Sequence, residues 1–200
     1  MSFNSSFDSE GNNEISTAEE SHSIIKKINS SLLRSISLTL SKVIYENKAL
    51  KNYNRKVKEQ STMAFSASSP PAISLYDYLC RIKEYGDMED STLIIALIYI
   101  DRLCDITSLV LTPLNIHRVL FASIIVAVKF NEDNIYDNKY YSEIAGVSLK
   151  ELSKIEGSFV DMIKFNLYIE KMMYDKYQSY LSTIEEKLQL EKSSQLWRSK

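Results

Sequence analysis

Hydrophobic and polar residues follow one another along this chain with the period of an α-helix. From residue 24 to about Asn52, apolar side chains recur at intervals of three and four, as on the buried face of an amphipathic helix. The same spacing predicts a three-turn helix that begins at the N-cap Ser74 and ends at Gly86. No stretch shows the alternation of apolar and polar residues that is typical of a half-buried β-strand. The pattern therefore predicts an all-α fold.

Two stretches in the middle of the chain are apolar on nearly every side. The first follows a predicted N-cap at Asp90 or Ser91 and reads STLIIALIYIDRLC (91–104). The second begins at Thr112 and reaches Phe130. A helix without a polar face has to be enclosed by other elements. We therefore expect these two helices at the centre of a helical bundle.

Three more helices are predicted toward the C-terminus. A short one covers about Lys139–Ala145, a second begins at the capping box Ser148-Leu149-Lys150-Glu151, and the last extends from Met172 to Leu190. The second is expected to face inward with Leu149, Leu152, Ile155, Phe159, Met162 and Ile163. The expected architecture is a single domain of five core helices with flanking N- and C-terminal helices.

Composition divides the chain further. Residues 1–22 are acidic and poor in apolar anchors, which predicts a disordered tail. Residues 23–60 are predicted to be a basic N-terminal helix region, although the connector before Ser74 could begin as early as residue 54. A linker at 61–71 contains Ser69-Pro70-Pro71 and leads into the five-helix domain at 72–170. Residues 171–200 are expected to form a C-terminal helix and tail.

Few residues suit catalysis or metal binding. The four glycines form no phosphate-binding loop, and the two histidines, His22 and His117, are far apart. Cys80 and Cys104 form neither a CxxC pair nor a secreted disulfide pattern and are expected to be reduced and buried. The apolar runs are too short to cross a bilayer, and the polar start is no signal peptide. We expect a non-catalytic intracellular protein of the nucleus or cytoplasm, with no cofactor, metal or membrane partner.

Two charged residues lie on otherwise apolar helix faces. Lys129 follows an apolar run and stacks over Ile125 and Val126, and Glu156 has apolar neighbours one turn before it and one turn after it. Either residue alone could be a flank residue whose stem covers the core while its charge reaches water. Two such residues of opposite sign suggest a pair at a hydrophobic patch, which can hydrogen-bond to the backbone of a partner.

The chain resembles a known protein family in five segments. It is similar to the cyclins, and specifically to the phosphate-pathway (P- or U-type) cyclins, in ISLYDYLCRIKEY (73–85), LIYIDRL (97–103), LTPLNIHRVLFASIIVAVKFNED (111–133), NKYYSEIAGVSLKELSKIE (138–156) and FVDMIKFNLYI (159–169). The resemblance implies a five-helix cyclin box. It also implies a regulatory subunit that binds and activates a cyclin-dependent Ser/Thr protein kinase, with ATP and magnesium held by the kinase.

The resemblance further implies which residues bind the kinase. Lys129 and Glu156 match the family's paired Lys and Glu, which hold the kinase's activation helix and the loop before it. Apolar contacts to that helix are matched by Val126, Phe130, Val160, Phe165 and Leu167. Core packing explains Val126 and Leu167 equally well. Asp101 and Arg102 match an element of the family that is mainly internal and structural.

Departures from the family pattern leave alternatives open. Cell-cycle cyclins dock substrates with Met-Arg-Ala-Ile-Leu, whereas residues 71–75 read Pro-Ala-Ile-Ser-Leu and lack the arginine that would pair with Asp101. A cyclin-fold transcription factor is the first alternative, although a net charge of -2 argues against a nucleic-acid partner. A scaffold that binds a kinase without activating it is the second. Nine Lys and Arg against two Glu in residues 24–60 also suggest a site for a phosphorylated substrate or inhibitor.

Overall fold

The computed structural model describes residues 31–60 and 63–198, with side chains described as far as residue 190. Over these residues it contains eight helices and no β-strand, which confirms the all-α prediction. Helix α1 covers residues 31–47. It is followed by α2 (Tyr53–Gln60), α3 (Leu75–Gly86), α4 (Asp90–Thr107), α5 (Ile116–Asn131), α6 (Asn138–Ala145), α7 (Leu149–Met162) and α8 (Lys171–Arg198).

Helices α3 to α7 form the expected five-helix core, with α5 at its centre. Every side chain from Val119 to Val128 is buried, including the hydroxyl-bearing Ser123. Helix α5 packs most extensively against α4 and also against α7. A helix that is apolar on all sides can only be stable when it is enclosed in this way. The enclosure predicted for α4 and α5 is confirmed.

The start of α4 is capped by a residue from another helix. The sequence predicted Asp90 or Ser91 as the N-cap, but the N-cap is Glu89, whose side chain makes no capping hydrogen bond. The carboxylate that serves this end belongs to Glu132, at the end of α5. Its Oε1 accepts hydrogen bonds from the Glu89 backbone N–H at 3.0 Å and from the Thr92 hydroxyl. The predicted cap was therefore wrong in residue and in element.

Helix α3 begins and ends at the predicted residues, but its left-handed cap is not the glycine. Ser74 is its N-cap as expected, and its hydroxyl accepts from the Asp77 backbone N–H at 3.1 Å. At the other end, Gly86 is still helical, and the left-handed residue is Asp87, with φ 44°. A Cβ at Gly86 would come within 2.4 Å of the terminal methyl group of Met88, so this flexible side chain would have to move to admit a larger residue.

The capping box of α7 forms only in part. The Ser148 hydroxyl accepts from the Glu151 backbone N–H at 3.2 Å, as the motif requires. The Glu151 carboxylate, however, pairs with Arg118 of α5 instead of reaching back to the backbone of Ser148. Leu149 was expected to face the core but is 47% exposed, and Met162, also expected to face inward, is half-buried. The inward positions Leu152, Ile155, Phe159 and Ile163 are buried as predicted.

The flanking helices pack onto this core. Helix α1 buries Leu33, Ile36 and Leu40, and α8 buries Leu181 and packs against α4. A connector beginning at residue 54 was wrong, because residues 53–60 form α2, a helix with no buried residue. The predicted acidic tail at 1–22 and the start of the basic region at 23–30 lie outside the described residues, as do 61–62 and 199–200.

Candidate functional site

Three core helices bring Lys129, Glu156 and Asn138 together at one point of the surface. The Lys129 Nζ lies 2.5 Å from Glu156 Oε1 and donates to Asn138 Oδ1 at 2.6 Å. The Asn138 amide donates in turn to Glu156 Oε2 at 3.3 Å. Helices α5, α6 and α7 thus each contribute one side chain to a closed network, which we call the Lys129 cluster. The ion pair between the two residues that the sequence singled out is therefore formed within the chain itself.

The Lys129 cluster is partly open to solvent. The side chain of Lys129 is 27% exposed and that of Glu156 is 19% exposed. An ammonium can donate three hydrogen bonds, and two of them go to Glu156 and Asn138 in the described part of the chain. The carboxylate of Glu156 likewise keeps lone pairs beyond the two bonds it accepts here. The cluster is thus pre-ordered yet still able to bond to a second molecule.

Beyond α7 the backbone takes a strained course that directs an aromatic side chain outward. Lys164 and Phe165 both have positive φ, 56° and 55° respectively. The Phe165 N–H nevertheless donates to the Val160 carbonyl at 3.0 Å, so a hydrogen bond of normal length holds this turn. The ring of Phe165 is 70% exposed. Non-glycine residues with positive φ occur where the surrounding structure fixes them, and they often mark functional sites.

Helix α4 anchors the segment that follows this turn. The Tyr99 hydroxyl donates to the Leu167 carbonyl at 2.7 Å, and Arg102 donates to the carbonyls of Asn166 and, at 3.2 Å, Tyr168. Tyr99 also lies within hydrogen-bonding reach of the Asn131 side chain, at the end of α5. The segment after Phe165 is therefore held against the same end of the core as Lys129.

The other predicted residues divide by burial. Val126 is buried, with 4% of its surface exposed, and Val160 and Leu167 are half-buried. Phe130 is 54% exposed beside Lys129 in the sequence. Asp101 is exposed on α4 and accepts a hydrogen bond from the Tyr177 hydroxyl, so it tethers α8 to the core. Among the residues expected to contact the kinase, the exposed ones are thus the two phenylalanines.

Asn138 is the residue that sequence reasoning missed. It completes the Lys129 cluster. Asn138 reaches Lys129 because the six-residue loop between α5 and α6 folds back toward the end of α5. Its place at the start of the NKYY element (138–141) was noted only as part of the family pattern. Periodicity places residues on helix faces, and it carries no information on contacts made across a loop.

Two other features, a metal-binding cluster and a membrane-spanning helix, were looked for in the part of the chain that the structure describes. Among the described residues, no group of three or more His, Cys, Asp or Glu side chains is arranged to hold a metal ion. In the same residues, none of the helices combines the length and the apolar character that spanning a bilayer requires. The two cysteines are free and half-buried, so the prediction of reduced thiols fits the structure better than that of full burial.

Comparison with known proteins identifies the family. The family model for cyclins matches residues 22–167. The chain is 34% identical to Cyclin-U4-1 of Arabidopsis thaliana over 155 residues, which are 76% of this chain and 75% of the relative. It is 31% identical to Cyclin-U3-1 of Arabidopsis thaliana over 76% of this chain and 64% of the relative. It is 30% identical to Cyclin-P3-1 of Oryza sativa subsp. japonica over 69% of this chain and 58% of the relative.

Sequence pattern, all-helical fold and these similarities agree with one another. The five-helix core lies within the matched residues, and the relatives are cyclins of the P and U types. The chain therefore belongs to the cyclin family, as a P/U-type cyclin with a regulatory role.

Proposed function

We propose that this cyclin binds a cyclin-dependent Ser/Thr protein kinase and activates it. The observation that supports the proposal is the Lys129 cluster, which is pre-ordered, partly exposed and next to the exposed ring of Phe130. Interface hot spots are typically such places, where a charged pair with spare hydrogen-bonding capacity adjoins apolar side chains. If Lys129 only covered the core with its aliphatic stem, it would need neither the ion pair with Glu156 nor the hydrogen bond to Asn138.

In this proposal the cluster grips the backbone of the kinase. Lys129 donates to carbonyls and Glu156 accepts from amides at the end of the kinase's activation helix. Phe130 and Phe165 cover the apolar face of that helix, with Val160 and Leu167 beneath them. Val126 supports the surface from the core, because its own side chain is buried.

The binding energy would be used to move a bistable element of the kinase. Pressing the activation helix inward restores the Lys–Glu ion pair that positions the phosphates of ATP. ATP and magnesium then belong to the kinase, and the cyclin itself contributes no catalytic group. We propose that the complex acts inside the cell, in the nucleus, the cytoplasm or both.

Co-purification with and without the cluster tests the binding surface. The partner kinase is first identified by mass spectrometry of proteins that co-purify with the wild-type chain. In Lys129→Ala, Glu156 is left unpaired at the interface, and we expect a loss of about 2–5 kcal/mol of binding free energy. The double variant Lys129→Ala/Glu156→Ala should also recover little kinase. Equal recovery of kinase by the wild-type and double-variant chains would contradict the proposed site.

The chain contains a matched control for this experiment. Arg118 and Glu151 form a second ion pair between α5 and α7, with side chains 26% and 32% exposed. The variant Arg118→Ala/Glu151→Ala removes an ion pair between the same two helices but leaves the Lys129 cluster intact. It should recover the kinase as the wild type does, and thermal melts show whether both variants are folded.

Activation is a separate question from binding. A phosphorylation assay with the purified complex distinguishes an activating subunit from a scaffold. We expect kinase activity to rise when the wild-type cyclin is added and to stay at its basal level with Lys129→Ala/Glu156→Ala. A stable complex without any rise in activity would make the chain a non-activating scaffold.

The basic region is the observation that favours a second partner. On α1 and α2 the acidic residues Glu46 and Glu59 each lie near one base, Lys42 and Arg55, at 3.8 and 3.6 Å. This leaves Lys48 and Lys51 among the exposed bases in excess. A phosphorylated substrate or inhibitor would be attracted to this surface. Binding of a phosphorylated peptide but not of its unphosphorylated form would support this site, and low-salt filter binding of DNA would support the transcription-factor alternative instead.

A further inference from the structure

A cavity of about 390 Å³ lies where α1, α4 and α8 meet, away from any residue of the Lys129 cluster. Its floor and walls are aliphatic and come from α1, from α4 and from the segment after α4. They comprise Leu40, Leu97, Ile100, Leu109 and Leu111, each of which exposes 6% or less of its surface. On one side the cavity is open to solvent, where the exposed residues Asp101, Lys176 and Tyr180 lie. A small molecule could therefore enter it without any rearrangement of the helices.

The cavity has an apolar interior and a polar end. Cys104 contributes a thiol to the wall. The polar end is formed by Asp101 of α4 and by Lys176 and Tyr177 of α8. The Tyr177 hydroxyl donates to Asp101, which fixes the carboxylate in place but leaves it exposed to accept another bond. Small-molecule sites have this composition: mostly apolar walls with a few convergent polar groups that orient the ligand.

The charges near the cavity select the kind of ligand. Burial, helped by the nearby carboxylates of Asp101 and Asp105, raises the pKa of the Cys104 thiol to about 12, so the thiol is neutral at physiological pH. Two cations, Lys176 and Arg102, lie near this end together with the two carboxylates, so its net charge favours neither sign of ligand. The ionised Asp101 carboxylate can only accept hydrogen bonds. A ligand that suits this end therefore carries a hydrogen-bond donor.

We propose that this cavity binds a small amphipathic molecule whose apolar body lies between α1 and α4 and whose hydrogen-bond donor meets the Asp101 carboxylate. The volume is within the usual range for small-molecule sites. The site is independent of kinase binding, and its test does not involve the kinase.

The test uses N-phenyl-1-naphthylamine, an uncharged apolar amine whose fluorescence rises in apolar surroundings. We expect saturable one-to-one binding to the wild-type chain and a higher melting temperature at saturation, because a ligand that binds only the folded state stabilises it. Cys104→Phe fills the cavity from α4 and should weaken binding at least tenfold. The matched control is Ile106→Phe, which adds the same ring on α4 at a residue that is 39% exposed and does not line the cavity.

A second measurement needs no variant and covers the case in which Cys104→Phe fails to fold. Alkylation of the wild-type chain by N-ethylmaleimide at pH 8.5 is followed cysteine by cysteine with mass spectrometry. Bound N-phenyl-1-naphthylamine should slow the alkylation of Cys104 and leave that of Cys80 unchanged. The proposal is overturned by any one of three results: no saturable binding to the wild type, equal binding by folded Cys104→Phe, or no protection of Cys104.

Discussion

At the scale of single residues, burial of a polar side chain has different consequences depending on its partners. Lys129 ends a fully buried stretch of helix, yet its charge is matched by Glu156 and its second bond by Asn138. His117 is half-buried with less support. Its Nε2 lies 3.0 Å from the Ile73 carbonyl, and its Nδ1 is buried without a hydrogen-bond partner among the described residues. The first residue is suited to carry a charge, whereas the second is suited to stay neutral.

His117 should make the stability of the fold depend on pH. Burial lowers its pKa below the ordinary value of 6.5. The unfolded chain therefore binds the proton more readily than the folded chain, and stability is lost as the pH falls below about 6.5 and through the lower folded pKa. Urea denaturation at pH 7.5 and 5.5 should show a larger loss of unfolding free energy for the wild type than for His117→Gln. An equal loss in both proteins would show that His117 does not contribute.

At the scale of secondary structure, the starts of α4 and α7 are each tied to a residue of α5 or of its C-terminal end. Glu132 leaves the end of α5 and accepts two hydrogen bonds at the start of α4. Glu151, at the start of α7, pairs with Arg118 of α5. These contacts couple the formation of one helix to the packing of another. Local motifs therefore locate such ends less accurately than they locate the helices themselves.

The cap formed by Glu132 can be tested against the cap expected from the sequence. Removing the carboxylate in Glu132→Ala leaves the Glu89 N–H and the Thr92 hydroxyl without their acceptor, and we expect a loss of about 1–2 kcal/mol of stability. Ser91→Ala, at one of the two residues first expected to cap α4, should change stability by less than about 0.5 kcal/mol. Chemical denaturation measures both, and a larger effect of Ser91→Ala would reverse the assignment.

At the scale of the whole molecule, the five-helix core is extended by the helices on either side of it. Helix α1 buries Ile36 and Leu40, and α8 packs on α4 through Leu181, which exposes 1% of its surface. Leu40 also lines the cavity between α1, α4 and α8. The flanking helices are therefore part of one hydrophobic core and not independent attachments.

Two leucines of α8 test that statement. Leu181→Ala removes a buried side chain and should cost about 2–5 kcal/mol, because the space it leaves collapses only in part. Leu190→Ala, on the same helix, changes a side chain that is 70% exposed and should alter stability by less than about 0.5 kcal/mol. Thermal and urea denaturation compare the two. Similar small effects would mean that α8 is not held by the core.

Much of this architecture could be predicted because it depends on short-range order in the chain. The apolar runs at 91–104 and 112–130 determine two enclosed helices, and Ser74 and Ser148 cap the helices that they were expected to cap. The opposite charges of Lys129 and Glu156 on apolar faces pointed to a pair before any distance was known. Helical period and side-chain chemistry contain this information, since both act over one or two turns.

Only the tertiary structure decided which residues meet across the chain. Asn138 joins Lys129 and Glu156, Glu132 caps α4, and Tyr177 bonds to Asp101, each across a loop or between helices distant in sequence. The exposure of Phe130 and Phe165 beside the burial of Val126 also depends on where the helices end and how they pack. The sequence thus determined the helices, their core faces and the two charges. Packing determined the contacts between helices. A hydrogen bond between two helices, or a cavity among three, involves residues that are far apart in the sequence, and the helical period does not bring such residues together.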